Sequence, residues 1–144
     1  QRCVQTYELA RRGYDVEANA RPQRGANPIQ WGHELFLDRN GNPAKIRLGM
    51  SEADIHSTIA GIQGEARFVV YVKWETGGAH VFIAEKTSAG VRFIDPQNNN
   101  LDVSGYFARG EADYFGLLRI DDLPLNVNAS TLNKTRKTSI AHKG

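Results

Sequence analysis

The run ARFVVYVKW at residues 66–74 decides the fold. β-Branched and aromatic residues of this kind favour strands, so we predict a long strand here. Two further runs of the same character follow, His80 to Glu85 and Val91 to Ile94, and Gly-containing turns separate them. Strands joined by such short turns pair antiparallel, and the stretch therefore predicts a three-stranded meander.

Elements on either side of the meander give the fold class. Apolar residues at helical spacing predict one helix from Cys3 to Arg12 and another that begins at Ser51. A short strand, a single helical turn and a fourth strand complete the prediction, at Tyr14 to Ala18, Asp102 to Phe107 and Tyr114 to Ile120. Helices that precede an antiparallel sheet indicate an α+β fold.

Length and composition are those of one globular domain. The chain has 144 residues, of which 40% are hydrophobic and 24% charged, enough to bury a core without disulfides or a metal. No apolar run approaches the roughly 18 residues of a membrane helix, so we expect no membrane insertion. The chain begins at Gln1 rather than Met, and we expect it to be part of a longer protein.

Charge separates the chain into two parts. The net charge is +2, but residues 126–144 hold four of the 18 basic residues and none of the 16 acidic ones, which leaves 14 and 16 for residues 1–125. We therefore predict a folded domain over 1–125 and a basic, flexible tail over 126–144. Nucleic-acid binding needs a clustered basic face, and the nearly neutral domain argues against it.

Cys3 is the one cysteine of the chain, which excludes an internal disulfide and a zinc site made of several cysteines. A lone cysteine is most often a small buried hydrophobe. Here it lies in the first turn of the predicted opening helix, where unpaired N–H groups and the helix dipole favour a thiolate. The same N–H groups can hold an oxyanion during attack on a carbonyl.

His80 opens the second strand of the meander and Asp95 closes the third. In an antiparallel hairpin these two strand ends lie side by side, so we expect the Asp95 carboxylate to orient the His80 ring. A cysteine at a helix start with a histidine and an aspartate on adjacent strands is a nucleophile, base and orienter set. Taken singly, a histidine at a strand start and an Asp-Pro turn have ordinary structural explanations.

Several neighbours are candidates for substrate or oxyanion binding. Gly77 and Gly78 precede His80 and would let a substrate backbone approach, or they only form the hairpin turn. Gln97 follows Asp95 and can orient the histidine or contact the substrate. Trp31 and Trp74 can line a groove, although core packing is the more common use of tryptophan.

Two blocks of sequence resemble the papain-fold toxin domains at the carboxyl ends of bacterial polymorphic toxins. The first is RCV at 2–4 with YEL at 7–9 and RRGYDV at 11–16, and the second is GGAHVF at 77–82 with VRFIDPQ at 91–97. The resemblance implies a papain-like fold and a predicted glutamine deamidase with Cys3, His80 and Asp95 as its triad. It also implies an effector of interbacterial competition that acts in a target-cell cytoplasm, and a cognate immunity protein.

The triad leaves the reaction open. Attack on a glutamine side chain with water as acceptor gives a protein-glutamine deamidase, an amine acceptor gives a transglutaminase, and attack on a peptide bond gives a protease. A papain-like binding module with Cys3 buried is the alternative outside enzymology. We expect no cofactor and no metal, because His33, His56 and His142 show no metal-ligand spacing.

Overall fold

The structure is a computed structural model, and it describes residues 2–15, 36–97, 102–125 and 136–137, with the backbone alone at 2, 3, 6, 14, 15, 136 and 137. Three helices lie within these ranges: α1 (Arg2–Arg11), α2 (Glu52–Gly61) and α3 (Tyr106–Arg109). Seven strands accompany them: β1 (Tyr14–Asp15), β2 (Arg47–Met50), β3 (Ala66–Lys73), β4 (Ala79–Thr87), β5 (Gly90–Ile94), β6 (Phe115–Arg119) and β7 (Arg136–Lys137).

The main sheet has five antiparallel strands in the order β2-β6-β3-β4-β5. The predicted meander forms its β3, β4 and β5, and β6 returns to pair with β3 on the other side. A few helices with an antiparallel sheet make the fold α+β, as the sequence predicted. None of the helices in the described ranges is long and apolar enough to cross a bilayer.

The β3–β4 hairpin fixes the position of His80. Val72 pairs with His80 and Lys73 with Ala79, and the Trp74 amide donates to the Gly78 carbonyl at 2.9 Å to close the turn. Gly77 and Gly78 have φ values of 104° and 82°. Side chains rarely adopt this left-handed region, so the turn geometry itself requires these two glycines.

Both faces of the sheet are covered by core. Along β4, Val81 and Ile83 belong to one apolar cluster and Phe82 and Ala84 to the other, as the alternation of a strand requires. Helix α1 packs on the Val81 side, which we term the α1 face, through Val4 and Leu9. Helix α2 packs on the opposite side, the α2 face, through Ile55 and Ile59 together with Phe107 of α3.

Helix α2 is held at both ends. The Ser51 hydroxyl accepts from the Asp54 amide at 3.0 Å and the Asp54 carboxylate accepts from the Ser51 amide at 3.1 Å, which is a capping box. The backbone and side-chain hydrogen bonds from Ser51 lower the pKa of Asp54. At the other end, Lys86 of β4 donates to the carbonyls of Ile59 and Ala60 in the last turn of α2 and to that of Ile62, which caps the helix.

Some elements differ from the sequence prediction. No element was predicted at β2, whose short sequence contains Gly49 at φ 76° and an irregular register against β6. The helical turn predicted at Asp102 to Phe107 was misplaced and begins only at Tyr106, because Asp102 bonds locally to Ser104 and forms a turn instead.

The two ends of the described chain meet in a small second sheet. β7, in the segment predicted as a flexible tail, pairs with β1, so that Arg136 lies opposite Asp15 and Lys137 opposite Tyr14. The other residues of the predicted tail lie outside the described ranges, as do residues 16–18 of the first predicted strand. The two described residues of the predicted tail are thus paired with the strand that follows α1.

Candidate active site

His80 and Asp95 are in contact at one end of the sheet. Ile94 pairs with Ile83, so Asp95, one residue further, shares the α2 face with Phe82 and reaches diagonally toward His80. His80 Nε2 and Asp95 Oδ2 are 2.9 Å apart. The expected contact between these two side chains is therefore present, and their catalytic roles remain predictions.

The Asp95 carboxylate is fully buried and surrounded by donors. Besides the His80 ring, the Tyr106 hydroxyl donates to Oδ2 at 2.7 Å and the Gln97 amide donates to Oδ1 at 3.0 Å. Three donors stabilise the ionised form of a buried carboxylate. An ionised carboxylate only accepts, so with Asp95 ionised Nε2 of His80 carries the proton of this hydrogen bond, and Nδ1 is the ring nitrogen that is not bonded to Asp95.

Two aromatic rings pack against the His80 ring. The Trp74 ring is stacked beside it, with centroids 6.2 Å apart and planes 20° apart, and the Tyr106 ring presents an edge at 6.0 Å. Only 16% of the His80 side chain is exposed. Since the Trp74 and Tyr106 centroids are only 5.2 Å apart, the two rings pack together on one side of His80. They keep the ring partly dry, and its hydrogen bond to Asp95 is therefore stronger than in water.

Of the predicted substrate-binding residues, Trp74 lies directly at the site. It contacts His80 and Tyr106, and the Arg109 guanidinium lies 5.3 Å above its ring. Gln97 contributes its backbone amide to Asp95, while its side chain is exposed. Trp31 lies outside the described residues.

Tyr106 is the site residue that the sequence did not reveal. It lies in α3, eleven residues after Asp95, and was counted only as part of the predicted helical turn. Nothing in its local sequence indicates that its hydroxyl bonds to Asp95. Its position follows from packing, since α3 lies over β4 and brings the Tyr106 ring 5.3 Å from that of Phe82.

Cys3 is the second residue of α1, but its side chain is outside the part of the structure that is described. α1 packs on the α1 face of the sheet, whereas His80 and Asp95 are on the α2 face. Of the strand that carries His80, the residue nearest to that histidine on the α1 face is Ala79, the first residue of β4.

The described histidines and carboxylates contain no metal site. No group of three such side chains, counted with cysteine, comes together within the described ranges. His56 pairs with Glu52 on α2 at 3.2 Å and packs against Phe93 and Phe107, which accounts for its position. His33 and His142 lie outside the described residues.

A second buried polar group lies on the α1 face, and we term it the helix-anchoring cluster. Arg67 donates to both carboxylate oxygens of Glu8, at 2.6 and 3.0 Å, and Arg12 donates to Glu8 at 2.7 Å. Around Glu85, Tyr7 donates at 2.9 Å, and two guanidinium groups are each 3.1 Å away. The cluster consists of Tyr7, Glu8, Arg11, Arg12, Arg67, Glu85 and Arg92.

No protein-family model, curated protein or solved structure matches this chain. The resemblance to papain-fold toxin domains accordingly stays a prediction from the sequence blocks. The function proposed below draws its support from the geometry of the His80–Asp95 pair.

Proposed function

We propose that the chain is a cysteine-dependent amidohydrolase of papain-like architecture that deamidates a glutamine of a target protein. Cys3 is the nucleophile, His80 the base and Asp95 the residue that orients the base. One observation carries the proposal: a buried carboxylate holds the Nε2 side of a histidine at a strand end and leaves Nδ1 to accept a proton.

The proposed reaction has two halves. Nδ1 of His80 takes the thiol proton of Cys3, and the sulfur attacks the carboxamide carbon of glutamine. The tetrahedral oxyanion collapses, the C–N bond breaks, and the imidazolium protonates the departing ammonia to leave a thioester. His80 then deprotonates a water that attacks the thioester, the C–S bond breaks, and glutamate and the free thiol are formed.

The first turn of α1 supplies the remaining chemistry in this proposal. Amides at the start of a helix have no partner within the helix, and they can hold the oxyanion while the dipole favours a thiolate at Cys3. The proposal requires the Cys3 thiol to reach Nδ1 past Ala79, at the end of β4. That requirement makes it sharply testable.

The biological setting is part of the proposal. A delivered toxin of this kind acts on a protein in the target-cell cytoplasm, and a cognate immunity protein would cover the His80 end of the sheet. Transglutaminase and protease activity share the same thioester or acyl-enzyme step. They differ only in which nitrogen leaves and which acceptor attacks.

Alkylation of the single cysteine tests the proposed pair without knowledge of the target. Iodoacetamide should modify Cys3 faster near neutral pH than it modifies free cysteine, and His80→Ala should slow the reaction about tenfold or more. His56→Ala is the matched control, since His56 lies on α2 away from the site. Equal rates in the two variants, measured by intact mass, would sink the enzymatic proposal.

Expression in a bacterial cytoplasm tests the activity itself. Cys3→Ala and His80→Ala should each remove growth inhibition while both proteins remain folded by circular dichroism. Mass spectrometry of the host proteins then separates the reactions: glutamate at a former glutamine means deamidation, new chain ends mean proteolysis, and isopeptide-linked pairs mean transamidation. Full toxicity of either variant excludes the triad.

A non-catalytic binding module is the second candidate, and one observation favours it. The packing of α1 on the face opposite His80 and Asp95 separates the helix that carries Cys3 from the base. As a binding module, the chain would use Trp74 and the hydrogen-bonded pair of His80 and Asp95 as a recognition surface. Unreactive Cys3 together with unchanged toxicity of Cys3→Ala is the result that this candidate predicts.

A further inference from the structure

The Tyr106 hydroxyl and the His80 ring share one acceptor atom. Both reach Oδ2 of Asp95, the hydroxyl at 2.7 Å and the ring nitrogen at 2.9 Å. The hydroxyl contact is the shorter, and a phenol that donates to an ionised oxygen makes one of the stronger neutral-donor hydrogen bonds. The orientation of the carboxylate toward His80 thus depends on Tyr106 as well as on the Gln97 amide at Oδ1.

The fold holds Tyr106 in place by two independent means. The Val103 amide donates to the Phe93 carbonyl of β5 at 2.9 Å, and the Tyr106 amide donates to the Val103 carbonyl at the same distance. The ring itself packs edge-on against Phe82 and Trp74, at 5.3 and 5.2 Å. The hydroxyl therefore has a fixed distance from Asp95, which a loosely held surface tyrosine would not have.

We infer that Tyr106 is a positioning residue: its hydroxyl locks Asp95 Oδ2, and through Oδ2 it fixes the tautomer and orientation of His80. The inference rests on the proposed function for its effect on Cys3, but its effect on the His80 ring is independent of any reaction. In catalytic triads a carboxylate orients the histidine, and further hydrogen bonds hold the carboxylate in place.

The test compares Tyr106→Phe with Tyr114→Phe. Phenylalanine keeps the ring contacts of Tyr106 and removes only the hydroxyl, and Tyr114 is a matched control because it is 55% exposed and lies beside Lys73, outside the site. Proton NMR measures exchange of the His80 Nε2–H with water, and it needs no substrate. We expect exchange to become about tenfold faster in Tyr106→Phe and to stay unchanged in Tyr114→Phe.

Cys3 alkylation by iodoacetamide gives the second readout. Tyr106→Phe should slow it about three- to tenfold near neutral pH, because the ring no longer holds Nδ1 in one orientation. Unchanged Nε2–H exchange, or faster alkylation than in wild type, overturns the role of Tyr106. If His80→Ala alters nothing at Cys3 while Tyr106→Phe still frees Nε2–H, the proposed function fails and the positioning role stands.

A second variant protects the test against loss of folding. Site-specific 3-fluorotyrosine at position 106 keeps the residue and strengthens its donation, because fluorine makes the phenol more acidic. We expect slower Nε2–H exchange than in wild type, the opposite of Tyr106→Phe. Equal exchange in the fluorinated and natural proteins contradicts the inference.

Discussion

The sheet buries a cluster of polar side chains on each face, and the two clusters differ in whether their hydrogen-bond donors can give up a proton. On the α1 face, the carboxylates of Glu8 and Glu85 are paired with guanidinium groups, which keep their protons at any physiological pH, and Glu85 also accepts from the Tyr7 phenol. On the α2 face, Asp95 is paired with an imidazole and a phenol. The difference between the faces is therefore that of guanidinium and imidazole. Both carboxylates Glu8 and Asp95 are completely buried, so the contrast lies in the partners and not in the burial.

The helix-anchoring cluster is suited to holding a helix, whereas the His80–Asp95 pair is suited to moving a proton. Guanidinium groups fix geometry through several directed bonds but cannot act as acid or base at neutral pH. A histidine held through Nε2 keeps a second nitrogen for chemistry. We therefore expect variants of the helix-anchoring cluster to change mainly stability, and variants of the His80–Asp95 pair to change the activity that we propose.

The largest expected effect is on activity, from Asp95→Ala. Without the carboxylate the His80 tautomer is no longer fixed, and we expect the initial rate of deamidation of the host protein identified by mass spectrometry to fall about 10²- to 10⁴-fold, the range of general acid–base catalysis. The melting temperature should also fall, because the change leaves the Tyr106 hydroxyl and the Gln97 amide without this acceptor. The fall should be smaller than in Glu8→Ala, which leaves two guanidinium charges without their shared carboxylate. Asp95→Asn is the control for charge, since it keeps an acceptor oxygen. Activity near that of wild type in Asp95→Ala would end the contrast between the faces.

A similar free-energy change, but in stability, is expected from Glu8→Ala. The change leaves Arg12 and Arg67 without their shared buried carboxylate, and breaking such a pair from one side costs about 3–5 kcal/mol. Urea unfolding followed by circular dichroism measures it. The His80 Nε2–H signal should persist in the folded variant. A loss of stability below about 1 kcal/mol would show that the cluster does not anchor α1.

The next largest effect is a loss of folding stability in acid, which arises from Glu85 on the α1 face. Burial raises the pKa of Glu85, but hydrogen bonds from Tyr7 and Arg92 and the charges of Arg11 and Arg92 outweigh it and hold that pKa below its usual range. A folded pKa below the unfolded one gives stability that is present above the unfolded value of 4.5 and is lost as pH falls further.

Melting temperatures between neutral pH and the acid range check this. Glu85→Gln should flatten the loss because it removes the titrating group. Some slope should remain because Asp121 also titrates in this range. Burial raises the pKa of Asp121, but hydrogen bonds from Arg119 and from the Arg67 amide outweigh burial and lower this pKa below its usual range. An identical acid slope in Glu85→Gln contradicts the assignment.

The smallest effect is expected in alkali, from Tyr7. Burial first, and then its hydrogen bond to Glu85, raise the pKa of the Tyr7 phenol to about 12 from 10.0. A raised pKa gives stability that is complete below pH 10.0 and lost as pH rises toward about 12. Tyr7→Phe should cost about 1 kcal/mol near neutrality and remove this alkaline loss. Unfolding curves at pH 9 and above would test it, and a loss of the same size in Tyr7→Phe would contradict it.

Prediction from sequence succeeded where the signal was local. The strands of the meander were predicted close to their observed bounds, because β-branched runs separated by Gly-rich turns determine both strands and pairing. The start of α2 at Ser51 was predicted for the same reason, since the signal lies within the first turn, where Ser51 and Asp54 cap the helix. β2 was missed because a glycine and an arginine in four residues give no strand signal.

The site was predictable only in part. His80 and Asp95 could be placed together because the hairpin register links their positions along the chain. Tyr106 could not be found, since its contact depends on where α3 packs. The helix-anchoring cluster was also missed, because its partners Glu8 and Arg67 lie 59 residues apart in sequence.

The sequence by itself determined the α+β class, the meander and the contact between His80 and Asp95, because each follows from the periodicity of a strand and the length of a turn. The tertiary structure decided which face of the sheet each helix covers. That choice depends on packing between distant side chains, and no local pattern specifies it. It gave Asp95 its second side-chain donor, Tyr106, and placed α1, with Cys3 in its first turn, across the sheet from His80.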